Sequence, residues 1–292
     1  MANTIKETRK EFKKMGKFYT DPKLVDLMYS YVDFDYKNIY DPTCGTGALF
    51  SKAKKSVKIY GQDKDPEAIK QVKQNYPNAE IEDGDTLEHP KFLNKSFDLI
   101  MANPPFSIKW NDDGKRNDPR FYDAPCLPPK SKADYAFILH ILYMLNNQGK
   151  AIVLNFPGIA YRGQREGKIR KWLIKNNYIE RVVSIPGGYF EDTTISTLLI
   201  IFDKNKKTTN IIFEDLETKK EKNVKLKEVQ ENDYNLSVTT YIPPEVKKEK
   251  IDPLKLQREI ETLRKKRLQK EKELDKLVYQ LENLNFQDEL IF

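Results

Sequence analysis

A chain of 292 residues, 39% hydrophobic and 33% charged, has room for one large α/β domain plus an extension, with a packed core under a heavily charged surface. Its net charge of +7 suits a polyanionic partner as readily as a lysine-rich solvated surface. Two cysteines (Cys44, Cys126) exclude a disulfide framework and a four-cysteine zinc site, two histidines (His89, His140) are too few for most metal sites, and no apolar run reaches the roughly 18 residues of a membrane span, so the chain reads as a soluble cytoplasmic protein without metal or membrane.

Residues 3–15 are polar and lysine-rich and predict a surface helix. Thr20-Asp21-Pro22 predicts a helix start, with Leu24, Val25, Leu27 and Met28 as its apolar face. Strands are predicted at 38–41, 57–62, 79–82, 97–102, 151–156, 181–185 and 195–202. Helices are predicted at 66–75, 134–145 and 167–176, with another opened by the glycine turn after residue 41. Residues 107–132 have little periodicity and predict a long functional loop. Strands alternating with helices imply an open parallel sheet with helices on both faces.

Residues 246–292 differ in composition and are read as a second domain after 1–245. Leu256, Ile260, Leu263, Leu274, Leu277, Leu281 and Leu284 form a heptad seam, interrupted at Arg267 and Lys270. An amphipathic helix packed on its own domain gives the same pattern, but the long lysine-glutamate faces favour a partner-binding or coiled-coil helix.

The chemistry lies in motifs that end strands. Asp41-Pro42-Thr43-Cys44-Gly45-Thr46-Gly47 follows the first strand, and its glycines let backbone N–H groups approach a ligand. Asp63 ends the second strand, where a cofactor-binding sheet places an acid for ribose hydroxyls; it also suits a helix cap. Asp85 and Thr86 follow the third, and Asp85 alone reads equally as a turn residue. Asn103-Pro104-Pro105-Phe106 follows the apolar strand at 97–102. Two prolines remove two backbone donors, leaving the Asn103 and Pro104 carbonyls as acceptors for an amine and Phe106 as a stacking face.

These residues, with Gly16-Lys17-Phe18-Tyr19-Thr20 before them, resemble the ordered motifs of amino-group DNA methyltransferases. More closely, the chain resembles the modification subunit of type I restriction-modification systems over about residues 10–245, through 118–121, 128–137, 167–173 and 232–236. The resemblance implies a doubly wound seven-stranded S-adenosylmethionine-dependent methyltransferase sheet, its last strand reversed, with a C-terminal helical extension. It implies S-adenosyl-L-methionine as cofactor, with Phe18, Tyr19 and Thr20 beside its methionine part, Asp41, Thr43, Gly45 and Gly47 at the turn, Asp63 on the ribose, and Asp85 and Thr86 near the adenine. Asn103, Pro104, Pro105 and Phe106 become the catalytic tetrapeptide, acting on N6 of an adenine flipped out of double-stranded DNA.

The implied partners are a specificity subunit, docked partly through the C-terminal helix, and a restriction subunit. Two features depart from the family pattern: a short lead precedes the first motif, where members carry a helical domain, and Ile195-Ser196-Thr197 replaces Ile-Pro-Thr. Tyr189 and Phe190 are candidates for a second aromatic around the base, and also read as core aromatics. Protein glutamine methylation, RNA guanine methylation and a catalytically silent cofactor-binding subunit are the alternatives.

Overall fold

The computed structural model describes residues 20–189, 195–244 and 253–288. The predicted helix at 3–15, Phe18, Tyr19 and Phe190 lie outside the described residues. The chain falls into two compact units, Met1–Pro244 and Glu245–Phe292.

The first unit is built on a sheet ordered β3-β2-β1-β4-β5-β7-β6-β8-β9. Strands β1 (Asn38–Asp41), β2 (Lys58–Asp63), β3 (Glu80–Asp83), β4 (Phe97–Ala102) and β5 (Leu145–Asn155) are parallel. Antiparallel β7 (Thr197–Asp203) lies between β5 and β6 (Ile179–Ile185). These seven strands form a doubly wound sheet with one reversed strand, as the resemblance implies. Beyond β6, the hairpin of β8 (Ile211–Asp215) and β9 (Lys220–Val224) extends it to nine. β9 reads KEKNV and is exposed except at Val224, so it has no apolar alternation to reveal it; its charges suit an edge strand that must not pair further.

Alternate residues of β4 feed two core clusters. Leu99 and Met101 pack with Ile39, Ile152, α1 (Pro22–Ser30) and α2 (Pro66–Asn75). Ile100 and Ala102 pack with Tyr40, Val153, α3 (Asp134–Met144) and α4 (Gln164–Lys175). Central strands covered on both faces are apolar throughout. Asp21 caps α1 by accepting the Lys23 N–H at 2.7 Å, with Pro22 in the first turn.

Three local differences from the sequence reading have physical causes. The glycine turn opens only one 3₁₀ turn, Ala48–Phe50, because the chain soon enters β2. β5 begins at Leu145, ahead of its apolar run, through an irregular register against β4. Gly149 permits this, since a Cβ there would lie 2.8 Å from the Phe97 and Asp98 carbonyls. The loop at 107–132 is an ordered cap on α3: Trp110, Phe121 and Ala124 join the core, and the Trp110 N–H donates to the Lys130 carbonyl at 3.0 Å. That cover explains why Tyr143 is the one exposed residue of α3.

Helices α5 (Leu226–Glu231) and α6 (Val238–Tyr241) complete the first unit, with the Tyr241 ring 4.0 Å from that of Phe213 and tilted by 30°. The second unit contains α7 (Pro253–Asp288). Leu256, Ile260, Leu263, Leu274, Leu277 and Leu281 of its seam are exposed, and the Leu284 side chain lies outside the described residues. The interrupting cations pair along their own helix, Arg267 with Glu271 at 2.7 Å and Lys270 with Glu273 at 2.8 Å.

Candidate active site

Because β1 to β4 are parallel, the segments that follow them emerge at one edge of the sheet. The glycine turn, Asp63, Asp85 and Asn103–Phe106 all lie along this carboxyl edge, where open α/β sheets bind ligands.

Asp41 ends β1 and is buried, 2% exposed, accepting the Thr43 N–H at 2.9 Å. Burial pushes its carboxyl up to about 8, against the smaller opposing effect of the Thr43 N–H. Its position braces the turn from behind. Gly45 (φ +51°) and Gly47 (φ +84°) hold left-handed backbone. A Cβ at Gly47 would lie 2.7 Å from Val72 and Tyr76, whereas one at Gly45 would meet nothing within 4 Å. Gly47 therefore serves packing against α2, and Gly45 borders open space.

Asp63 links this turn to the next strand. Its Oδ2 accepts the Gly45 N–H at 2.8 Å, and its Oδ1 accepts the Asp65 N–H at 2.9 Å. A carboxylate has about four acceptor positions, so lone pairs remain for two hydroxyls. Asp85 accepts the Leu87 N–H at 2.9 Å through Oδ1, which shapes its own turn, and its Oδ2 lies 3.6 Å from the Lys64 ammonium. Buried Thr86 donates its hydroxyl to the Pro42 carbonyl, tying the third motif to the first.

Asn103 directly follows β4 and is half-buried; its Nδ2 lies 3.5 Å from the Thr20 hydroxyl. With that nitrogen turned to Thr20, the amide oxygen is the acceptor left for a ligand. Pro104 is buried, and Phe106 is half-buried against the core cluster on the α1 and α2 face. Tyr189 and Ile195, in the segment between β6 and β7, are exposed, so Tyr189 is not a core aromatic.

Sequence reasoning assigned no role to a buried network under this edge. Arg120, 4% exposed, reaches from the loop and satisfies all five of its N–H donors. Nη1 donates to the Thr86 carbonyl at 2.7 Å and to His140 Nδ1 at 3.2 Å. Nη2 donates to the Leu87 carbonyl at 2.8 Å and to Asp118 at 2.7 Å, and Nε donates to Asp118 at 3.0 Å. A guanidinium only donates, so Nδ1 accepts and His140 Nε2–H donates to the Tyr40 hydroxyl, 3.2 Å away. Burial, then the Arg120 charge, lowers the His140 imidazole to about 3, so it is neutral at physiological pH. The network clamps the loop to the Asp85–Leu87 segment. Its one sequence signal is the pair Asp118 and Arg120 beside a proline.

The stretches at 167–173 and 232–236 meet each other and brace the fold. Arg170 donates to the Tyr234 carbonyl at 2.9 Å and the Arg162 carbonyl at 2.7 Å, and the Leu236 N–H donates to the Ala160 carbonyl at 2.9 Å.

The donor set fits S-adenosylmethionine: Gly45 borders open space at the turn, and the Asp63 carboxylate beside it keeps lone pairs for vicinal hydroxyls. A family model described as N-6 DNA Methylase matches residues 5–225. The type I restriction enzyme MpnII methylase subunit of Mycoplasma pneumoniae is 31% identical over 82% of this chain and 55% of its own length. The MjaIX methylase subunit of Methanocaldococcus jannaschii is 33% identical over 69% of this chain and 39% of its own length. A solved type I restriction-modification system methyltransferase subunit from Streptococcus thermophilus superposes with a TM-score of 0.68 at 28% identity, covering 76% of this chain and 58% of that one. The chain thus spans about half the length of the curated relatives it matches.

Proposed function

Because this chain belongs to the N-6 DNA methylase family, we propose that it is the modification subunit of a type I restriction-modification system, methylating N6 of adenine in double-stranded DNA. The observation that carries this reading is Asn103-Pro104-Pro105-Phe106 at the carboxyl end of β4, at the same edge as the Gly45 turn and Asp63.

S-adenosylmethionine, when bound, supplies a methyl group on a positively charged sulfur. Asp63 would hold its ribose, the Thr43–Gly47 turn and Thr20 its methionine part, and Asp85 and Thr86 its adenine. The Asn103 amide oxygen and the Pro104 carbonyl accept the two N–H bonds of the target amine, which turns its lone pair out of the ring plane. Phe106 stacks on the base, which must leave the duplex because N6 is paired there. Catalysis on this reading is positioning and electrostatic complementarity.

A specificity subunit supplies the choice of site, docked partly through α7, and the complete assembly includes a restriction subunit. Six exposed Leu and Ile side chains along one helix support the docking, since a fully exposed side chain of this kind gains about 1.5–3 kcal/mol on full burial and these would gain a part of that each. The deciding experiment maps N6-methyladenine in host DNA with and without the gene, alongside methyl transfer to DNA, RNA and protein in vitro. Identical adenine maps, or transfer to RNA or protein alone, refute the proposal.

A further inference from the structure

The tetrapeptide runs directly into a strained residue. Ser107 has φ +53°, a left-handed conformation that crowds the Cβ of an L residue against its own backbone. Its N–H donates to Asp134 Oδ1 at 3.1 Å. Asp134 opens α3 and is 3% exposed, and its Oδ2 accepts no hydrogen bond among the described residues. Burying a carboxylate is costly unless a counter-charge is near. Here the counter-charge is Arg162, 3.9 Å from Oδ2.

Arg162 is itself held in place. It lies 3.3 Å from Glu166, 3.5 Å from the Ser107 hydroxyl, and over the Phe156 ring at 5.5 Å. Gly158 makes room for it, because a Cβ there would lie 2.5 Å from the guanidinium nitrogens. Ser107, the first residue after Phe106, meets this cluster twice, its N–H at Asp134 and its hydroxyl at Arg162.

We propose that Asp134 is a positioning residue: it locks Ser107 in the left-handed conformation and so fixes the directions of the Asn103 and Pro104 acceptors and the Phe106 ring. Arg162 and Gly158 keep the carboxylate in register. The inference rests on the reading of Asn103–Phe106 as the amine-binding site. Misplacing reacting groups by about 1 Å costs on the order of 100-fold in rate.

The test uses the full chain purified from its host with its co-purifying subunits, labelled S-adenosylmethionine, and unmethylated genomic DNA. Asp134→Ala should lower kcat by about 100-fold while leaving the Kd of S-adenosylhomocysteine unchanged, because the cofactor residues lie on other segments. Asp134→Asn keeps one carbonyl oxygen for the Ser107 N–H and should lose less. Glycine adopts the left-handed conformation without strain. Adding Ser107→Gly to Asp134→Ala should therefore recover most of the lost rate. The melting temperature should show the same coupling: Asp134→Ala lowers it by a few degrees, and by less when position 107 is glycine. Additive effects in both rate and melting temperature overturn the proposal. Failure of the underlying reading shows separately, as Asn103→Ala transferring methyl groups at the wild-type rate, and the melting-temperature cycle then judges the clamp by itself.

Discussion

Replacing Asp63 with alanine tests the cofactor site most directly. The carboxylate accepts two backbone N–H groups, from Gly45 at 2.8 Å and Asp65 at 2.9 Å, so the mutation both removes the proposed ribose acceptor and releases the glycine turn. A hydrogen bond to a charged acceptor is worth about 1.5–3 kcal/mol where it is well shielded. Asp63 is half-exposed, so the loss in cofactor affinity is set at about 1–3 kcal/mol, or roughly 5- to 150-fold in Kd. Calorimetric titration with S-adenosylhomocysteine measures this, and circular dichroism establishes that the variant is folded. Asp63→Asn should fall between wild type and alanine, because its NH₂ group would face one of the two N–H donors. An unchanged Kd in folded Asp63→Ala would remove Asp63 from the binding site and leave it as a structural strut.

Asn103→Ala should reduce methyl transfer by about 100-fold or more at nearly unchanged cofactor affinity, as expected when one preorganised acceptor is lost, and Phe106→Ala should weaken capture of the extruded base by roughly 1–3 kcal/mol. His140 has a folded pKa of about 3, below its ordinary 6.5, so its contribution to stability is complete above about pH 6.5 and is lost as pH falls toward 3. Urea unfolding of His140→Gln should therefore depend less on pH between 6.5 and 4 than wild type does, and identical slopes would refute the assignment. Asp41, raised to about 8, acts with the opposite sign, its contribution being full below about pH 4 and lost as pH rises through 8. Deleting residues 251–292 should leave cofactor binding intact yet abolish co-purification with a specificity subunit and site-specific methylation. A truncated chain that still methylates one defined sequence by itself would make α7 a brace.

What the sequence determined by itself was local chemistry. Asp21-Pro22 and Asp65-Pro66 specified where α1 and α2 begin, because a capping side chain and a fixed φ act within one turn. The apolar run at 97–102 specified a strand buried on both faces, and the residues after it, Asn103–Phe106, carried their acceptors in their own covalent structure. Tertiary structure decided whatever depends on partners distant in the chain. β9, which has no apolar pattern of its own, is held by pairing to β8, which pairs in turn with β6. Arg120 is buried only because Thr86, Leu87, Asp118 and His140 converge on its five donors. The left-handed turn at Ser107 could not be read from the NPPFS stretch, since serine carries no local preference for it. It exists because a carboxylate from α3 waits for that N–H, and only the folded sheet brings residues 107 and 134 together.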